Sequence, residues 1–162
     1  MRTRFAAVLT AFVLMTTTAC GTDVPAGLAD KVEAGCPGLL KPEPLAVITK
    51  DLVVSEVNGV DADGCQVFVS TGRKALSVGI VAYPSPEESE RLTPMLCTDG
   101  KLDVETKACT AGTVEGQTYS LHAVAGRWNV RVAVFEIPAT DEVKDAVQQI
   151  VEDLRNSDKT RG

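Results

Sequence analysis

The stretch QTYSLHAVAGRWNVRVAVFE, residues 117–136, decides the fold class of this chain. Residues 117–125 and 127–136 each have the composition of a β-strand, and Gly126 supplies the turn between them. In the second strand every other side chain is large and apolar, which places these residues on one face: Trp128, Val130, Val132 and Val134. One face of this hairpin should therefore lie in a hydrophobic core.

An amphipathic helix should follow the hairpin. Thr140 is a suitable N-cap, and Asp141 and Glu142 place negative charge in the first helical turn. Apolar side chains then recur at helical spacing: Val143, Ala146, Val147, Ile150, Val151 and Leu154. This is the strongest periodic pattern in the chain.

A second hairpin is expected upstream. Residues 65–70 and 74–83 alternate between apolar and polar side chains, and only the short TGR segment separates them. The segment LVVSEV, residues 52–57, is a further candidate strand. These patterns predict four to five strands in all.

Helices should flank these strands. Ser85 can cap a helix that begins with Pro86, and Pro42 suits the first turn of an earlier one. Hairpins next to amphipathic helices predict an α+β domain, in which helices pack on one face of an antiparallel sheet. The other face should be partly open, and a ligand or partner could bind there.

The N-terminus has the organisation of an export signal. Arg2 and Arg4 precede the apolar run FAAVLTAFVLM, residues 5–15. As a helix this run would be only about 16 Å long, roughly half the thickness of a bilayer core. It is therefore too short for a comfortable transmembrane span, and we expect residues 1–19 to be a signal peptide that is removed.

Cys20 follows Thr17, Thr18 and Ala19, and this stretch resembles a bacterial lipobox. The resemblance implies a diacylglyceryl thioether on Cys20, which would become the mature N-terminus. Two acyl chains give stable membrane anchoring, because each buried methylene contributes about 0.8 kcal/mol. The alternative is an ordinary secretory signal that happens to precede a cysteine.

The mature chain should then have three parts. Residues 20–35 are small and polar, and we expect an acylated N-terminus with a flexible tether. Residues 36–155 should form a single globular α+β domain, and residues 156–162 a disordered tail. The protein would sit on the extracytoplasmic face of the cell membrane.

The remaining cysteines favour disulfides. The chain has five cysteines, and assigning Cys20 to the lipid leaves four: Cys36, Cys65, Cys97 and Cys109. Four cysteines allow three connectivities of two disulfides. Their spacing contains no CxxC, which disfavours zinc or a thioredoxin-like redox pair.

The charge of the mature chain argues against some partners. Without residues 1–19 it carries 14 basic and 22 acidic residues, a formal net charge of −8. Such a surface disfavours nucleic acid as a partner and electrostatic adhesion to anionic lipid. The membrane contact should therefore be made through the anchor on Cys20.

The sequence indicates no catalytic residue, metal site or cofactor. His122 is the sole histidine, and we expect it half-exposed on a strand. The segment DADG, residues 61–64, suits a turn better than a calcium loop, because oxygen donors are missing at other loop positions. The paired acids Glu87–Glu88 and Asp141–Glu142 are explained by their places in first helical turns.

One row of side chains could bind a ligand. Arg127, Asn129 and Arg131 share the polar face of the last strand in an acidic protein. Two arginines on an open sheet face could receive a carboxylate or phosphate group. The alternative is that they pair with acidic neighbours across the strands.

The order of these landmarks resembles a known family. A Cys-Pro-Gly-Leu-Leu segment at 36–40 follows a lipoprotein leader, and then come a strand with Gly64, Cys65 and Phe68, a hairpin, the Cys97/Cys109 pair and a final amphipathic helix. This resembles small actinobacterial cell-envelope lipoproteins whose domain has no assigned function. It is more loosely similar to extracellular sensor domains of mycobacterial serine/threonine kinases.

The resemblance covers most of residues 36–154. It implies that Cys36 pairs with Cys65 and Cys97 with Cys109. We therefore expect a non-enzymatic envelope lipoprotein that binds a small ligand or an envelope protein. The alternatives are a structural or assembly factor, or an enzyme with an unrecognised carboxylate site.

Overall fold

A computed structural model describes residues 26–59 and 64–157 of the chain. The predictions for the signal peptide 1–19 and for lipidation of Cys20 lie outside these residues. The same holds for Asp61 and Asp63 of the DADG turn and for the tail beyond residue 157.

The described residues form an α+β domain around one antiparallel sheet, as predicted. The sheet has six strands rather than four or five: β1 Val54–Gly59, β2 Gly64–Val69, β3 Lys74–Ala82, β4 Ala108–Thr110, β5 Gln117–Ala125 and β6 Trp128–Phe135. Their order in the sheet is β1-β2-β3-β6-β5-β4. The unpredicted strand is β4, a three-residue segment that contains Cys109.

Within residues 26–59 and 64–157, five α-helices and one 3-10 helix accompany the sheet. They are α1 Ala26–Glu33, α2 Cys36–Leu39, α3 Pro42–Ile48, α4 Pro86–Leu92, the 3-10 helix Thr93–Leu96 and α5 Asp141–Arg155. The predicted N-caps are present, since Ser85 Oγ accepts from the Glu88 amide and Thr140 Oγ1 accepts from the Val143 amide, each at 3.3 Å.

The core lies between α5 and one face of the sheet, called here the apolar face. Its central side chains are Leu76, Val78 and Ile80 of β3 with Val130, Val132 and Val134 of β6, all at most 3% exposed. The six predicted apolar residues of α5 are all buried against it. Trp128 is also buried, at 7% exposure.

Helices are not confined to that face. On the other side, called here the polar face, α4 and the 3-10 helix cross the end of the β5–β6 hairpin. Ser89 and Thr93 are completely buried there, and Ser89 Oγ donates to the Trp128 carbonyl at 3.2 Å. Part of the face expected to be open is therefore covered.

The expected tether, residues 20–35, differs from the structure at its C-terminal half. Leu28 of α1 is only 1% exposed and belongs to the core. Lys31 Nζ donates to the Asp153 carbonyl at 2.8 Å, and burial lowers the pKa of Lys31. Helix α1 is therefore part of the domain, because its Leu28 lies in the core and its Lys31 bonds to α5.

Two disulfides are present, with the pairing that the family resemblance implied. Cys36–Cys65 joins α2 to β2 with a Cα–Cα distance of 5.1 Å. Cys97–Cys109 joins the end of the 3-10 helix to β4 with a Cα–Cα distance of 5.7 Å. The first fastens the N-terminal helices to the sheet, and the second closes the loop that leads to β4.

Candidate functional site

A cleft of about 530 Å³ lies beside β4. The apolar part of its lining comes from Ala108 of β4, Leu121 of β5 and Val151 of α5, with Leu102 from the 97–109 loop. One wall is the loop closed by Cys97–Cys109, and the other is the C-terminal half of α5. A cavity of this size lies within the range of small-molecule sites, which are about 300–1,000 Å³.

Polar groups surround this apolar lining. Arg155 Nε donates to the Val124 carbonyl at 3.2 Å, which fixes the arginine at the end of α5. Gln148 Nε2 donates to Glu152 Oε1 at 2.9 Å along the same helix. The cleft thus combines an apolar interior with a few oriented polar groups, as ligand sites usually do.

The loop wall is held by its own hydrogen bonds. Asp103 Oδ1 accepts from the Glu105 and Thr106 amides at 3.0 and 2.7 Å, and also from the Thr106 hydroxyl. These bonds to Thr106 lower the pKa of Asp103. Together with the disulfide they give a polar loop a defined shape, which is what a cleft wall requires.

The structure separates the three residues of the predicted anion-binding row. Arg127 lies in the turn before β6, half-buried, with its guanidinium 5.4 Å from the centroid of the Trp128 ring. Asn129 is 2% exposed beneath the 3-10 helix. Only Arg131 is exposed, so the row does not act as one continuous surface.

Asn129 is held by a buried hydrogen-bonded chain. His122 Nδ1 lies 3.1 Å from Asn129 Oδ1, and Asn129 Nδ2 donates to Thr93 Oγ1 at 3.3 Å. Because an amide oxygen can only accept, His122 donates from Nδ1. The chain ties the β5–β6 hairpin to the 3-10 helix above it.

His122 is 6% exposed, so the expectation of a half-exposed histidine is wrong. It lies on strand β5 as predicted, on the face opposite Leu121, but the 3-10 helix covers that part of the face. Burial lowers the pKa of His122, the hydrogen bond to Asn129 opposes that change, and the charge of Arg131 adds to it. The imidazole is therefore neutral at neutral pH.

The alternative of cross-strand pairing is not seen for Arg131 among the described residues. Its direct neighbours on the adjacent strands are Gly79 and His122. Among residues 26–59 and 64–157 no carboxylate lies within ion-pair distance of its guanidinium. Within the described part of the chain, Arg131 is thus an exposed cation on the polar face without an ionic partner.

The acidic pairs behave as helix caps. Glu87 is exposed, and its hydrogen bond with Ser85 lowers its pKa. Within the described part of the chain, His, Cys, Asp and Glu side chains do not gather into a group that could hold a metal ion. A search of the same residues found no helix with the length and apolar character needed to span a bilayer.

The sequence did not predict the cleft. Its α5 wall uses Gln148, Val151, Glu152 and Arg155, which share a helix face but mix apolar and charged types. Its other wall is the loop between Cys97 and Cys109, for which the sequence predicted only the pair of cysteines. The apolar residues Leu102 and Val104 within that loop were the available signal.

Comparison of the chain with family models, with curated proteins and with solved structures found no match.

Proposed function

We propose that this protein is a lipoprotein, anchored through Cys20 to the extracytoplasmic face of the cell membrane, that binds a small ligand in the cleft beside β4. The observation that carries the proposal is the cleft itself: about 530 Å³, with an apolar interior and ordered polar groups at its edge. The proposal places the protein among the envelope lipoproteins that its sequence resembles.

The location rests on the leader. A basic start, a short apolar run and small residues before Cys20 are typical of a lipoprotein signal. If Cys20 is acylated, the segment from Cys20 to the start of α1 can span at most about 20 Å. The domain would then stay close to the membrane surface, where amphipathic molecules are abundant.

Binding without catalysis agrees with the chemistry of the cleft. A carboxylate that works as an acid or base is usually desolvated, which raises its pKa. The carboxylates at this cleft, Asp99, Asp103 and Glu152, are all exposed. That of Asp103 is bonded to its own loop, and that of Glu152 accepts from Gln148. These groups can shape and orient a ligand, but their surroundings do not favour proton transfer.

A contact with another protein is a second candidate function. Met95 and Leu96 at the end of the 3-10 helix are 76% and 43% exposed, and Val81 on the polar face is 51% exposed. Exposed apolar side chains of this size favour a protein contact over a small ligand. They lie on the side of the sheet away from α5.

Native mass spectrometry of the protein purified from its own membrane tests the proposal. The expected mass lacks residues 1–19, includes an acylated Cys20 and shows two disulfides, and a small molecule should co-purify. Gln148→Trp should exclude that molecule, because Gln148 lines the cleft.

Gln149→Trp is the matched control, because Gln149 is the next exposed residue of α5 and lines the groove toward α3 instead. A molecule retained by Gln148→Trp would contradict binding in the cleft. An unacylated protein that keeps its leader would contradict the location.

A further inference from the structure

We propose that Arg131, with His122 and Ser120 beside it, forms an oxyanion-binding site on the polar face that takes a carboxylate or phosphate group. This site is separate from the cleft, which is lined by the apolar-face residue Leu121 and by α5. The proposal therefore does not depend on the proposed function.

The first argument is the unpaired charge. Arg131 is exposed, and on the strands beside it stand only Gly79 and His122, with Ser77, Val81, Ser120 and Val124 diagonal to it. None of these carries a negative charge at neutral pH. A guanidinium offers several N–H donors in a planar fork that matches the oxygens of a carboxylate or phosphate.

The second argument is the free space beside the cation. A Cβ built on Gly79 meets no heavy atom within 4 Å, so the surface next to Arg131 is open on the β3 side. A bulkier residue there would occupy the position from which an anion could approach. The exposed side chain of Val81 flanks the same opening and could contact an apolar ligand body.

The third argument is a pair of unused polar groups on the β5 side. Ser120 is 1% exposed, and its hydroxyl finds no hydrogen-bond partner anywhere in the described ranges 26–59 and 64–157. A buried, unpaired hydroxyl is costly, and an anion oxygen would satisfy it. His122 uses Nδ1 for Asn129, so Nε2 is the nitrogen left for a ligand.

The arrangement makes anion binding sensitive to pH. Neutral His122 presents an Nε2 lone pair, whereas protonated His122 presents an N–H donor. On β6 the groups that face it are Arg131 and Asn129 and, through Asn129, Thr93 of the 3-10 helix. On the β4 side its direct neighbour is the disulfide-bonded Cys109, and Lys107, two residues before Cys109, pairs with Glu90 of α4. A bound anion should favour protonated His122 and offset the effect of Arg131, and acidification should strengthen binding.

His122 also provides the assay, because it is the sole histidine and its ring NMR signals need no further assignment. The mature protein is titrated with sodium sulfate and with sodium acetate, against sodium chloride at matched ionic strength. We expect saturable shifts of the His122 ring signals with sulfate or acetate and a higher apparent pKa at saturation. A response to sulfate alone identifies phosphate-like groups, and a response to acetate alone identifies carboxylates.

Arg131→Gln should weaken this binding by roughly tenfold or more, because charge-assisted hydrogen bonds contribute about 1.5–3 kcal/mol each. Arg131→Lys keeps the charge but loses the fork, and it should bind with intermediate affinity. Arg127→Gln is the matched control, and it should bind as the wild type does. Backbone amide spectra check that each variant is folded.

Three results would overturn the proposal. One is a shift of the His122 ring signals with sulfate and acetate that is no larger than the shift with chloride, which would mean that the salts only screen charges and do not bind. Another is saturable binding that Arg131→Gln leaves intact. The last is binding lost equally in Arg127→Gln, which would place the anion at the hairpin turn. Each of these leaves the cleft proposal standing.

Discussion

Removing the two disulfides one at a time should destabilise the protein unequally. Cys36 and Cys65 are 29 residues apart, and Cys97 and Cys109 are 12 apart. The loop-closure entropy of the unfolded chain then gives about 3.6 kcal/mol for the first disulfide and about 2.8 kcal/mol for the second. Cys65 is also 1% exposed in the core, so its loss removes packing as well.

The measurement is urea unfolding of oxidised wild type, Cys36→Ala/Cys65→Ala and Cys97→Ala/Cys109→Ala. Trp128 is the sole tryptophan and is buried, so its fluorescence reports on the hairpin, and circular dichroism checks for two-state behaviour. The first variant should lose more free energy of unfolding than the second. The second should nevertheless lose the ligand of the cleft, because its disulfide holds one wall.

The reasoning would be refuted by the opposite order, or by losses below about 1 kcal/mol in both variants. Retention of the ligand by Cys97→Ala/Cys109→Ala would show that the loop keeps its shape without the disulfide. The other variant is the control for this second outcome, since neither Cys36 nor Cys65 lines the cleft.

Three further predictions concern stability. Gly38→Ala should lower the free energy of unfolding in urea by about 1–3 kcal/mol, because the added Cβ would lie 2.2 Å from the Lys31 carbonyl oxygen. Gly112→Ala is the control: its Cβ would meet nothing within 4 Å, so its stability should stay near that of the wild type. The free energy of unfolding should fall as the pH is lowered from 7.5 to 5.5. The reason is that His122 has a lowered pKa in the folded protein, whereas in the unfolded chain it takes up a proton at about pH 6.5, and His122→Gln should remove this pH dependence. Thr140→Ala should cost about 1 kcal/mol, measured in the same way, because it removes the cap of α5, and a wild-type unfolding midpoint would contradict the capping role.

The sequence predicted correctly those helices, hairpins and caps that depend on residues close together in the chain. The alternation around Gly126 and the apolar stripe of α5 specify a hairpin and a helix through side-chain direction alone. The caps Ser85 and Thr140 were likewise visible, because a cap bonds to an amide three residues away. These local patterns cannot predict which distant segment of the chain packs against a given face of the sheet.

The errors follow from that limit. Alternation correctly placed His122 on the polar face, but its burial comes from a segment some 30 residues earlier in the chain, where Thr93 lies. Composition predicted a tether before residue 36, although Leu28 packs in the core. The strand β4 has three residues, which is too short for a period to be seen, and it forms by pairing with β5.

The polar face illustrates how one sequence pattern can yield two environments. Asn129 and Arg131 are alternate residues of β6, yet a boundary between buried and exposed side chains runs between them: Asn129 lies beneath the 3-10 helix, where it bonds to Thr93, and Arg131 is exposed. His122 lies opposite Arg131 and bonds to Asn129, so it stands at that boundary. Protonation adds a hydrogen at Nε2 and leaves the Nδ1–H bond to Asn129 in place. A charge change caused by an anion at Arg131 can therefore occur without breaking the hydrogen bonds that hold the 3-10 helix to the β5–β6 hairpin.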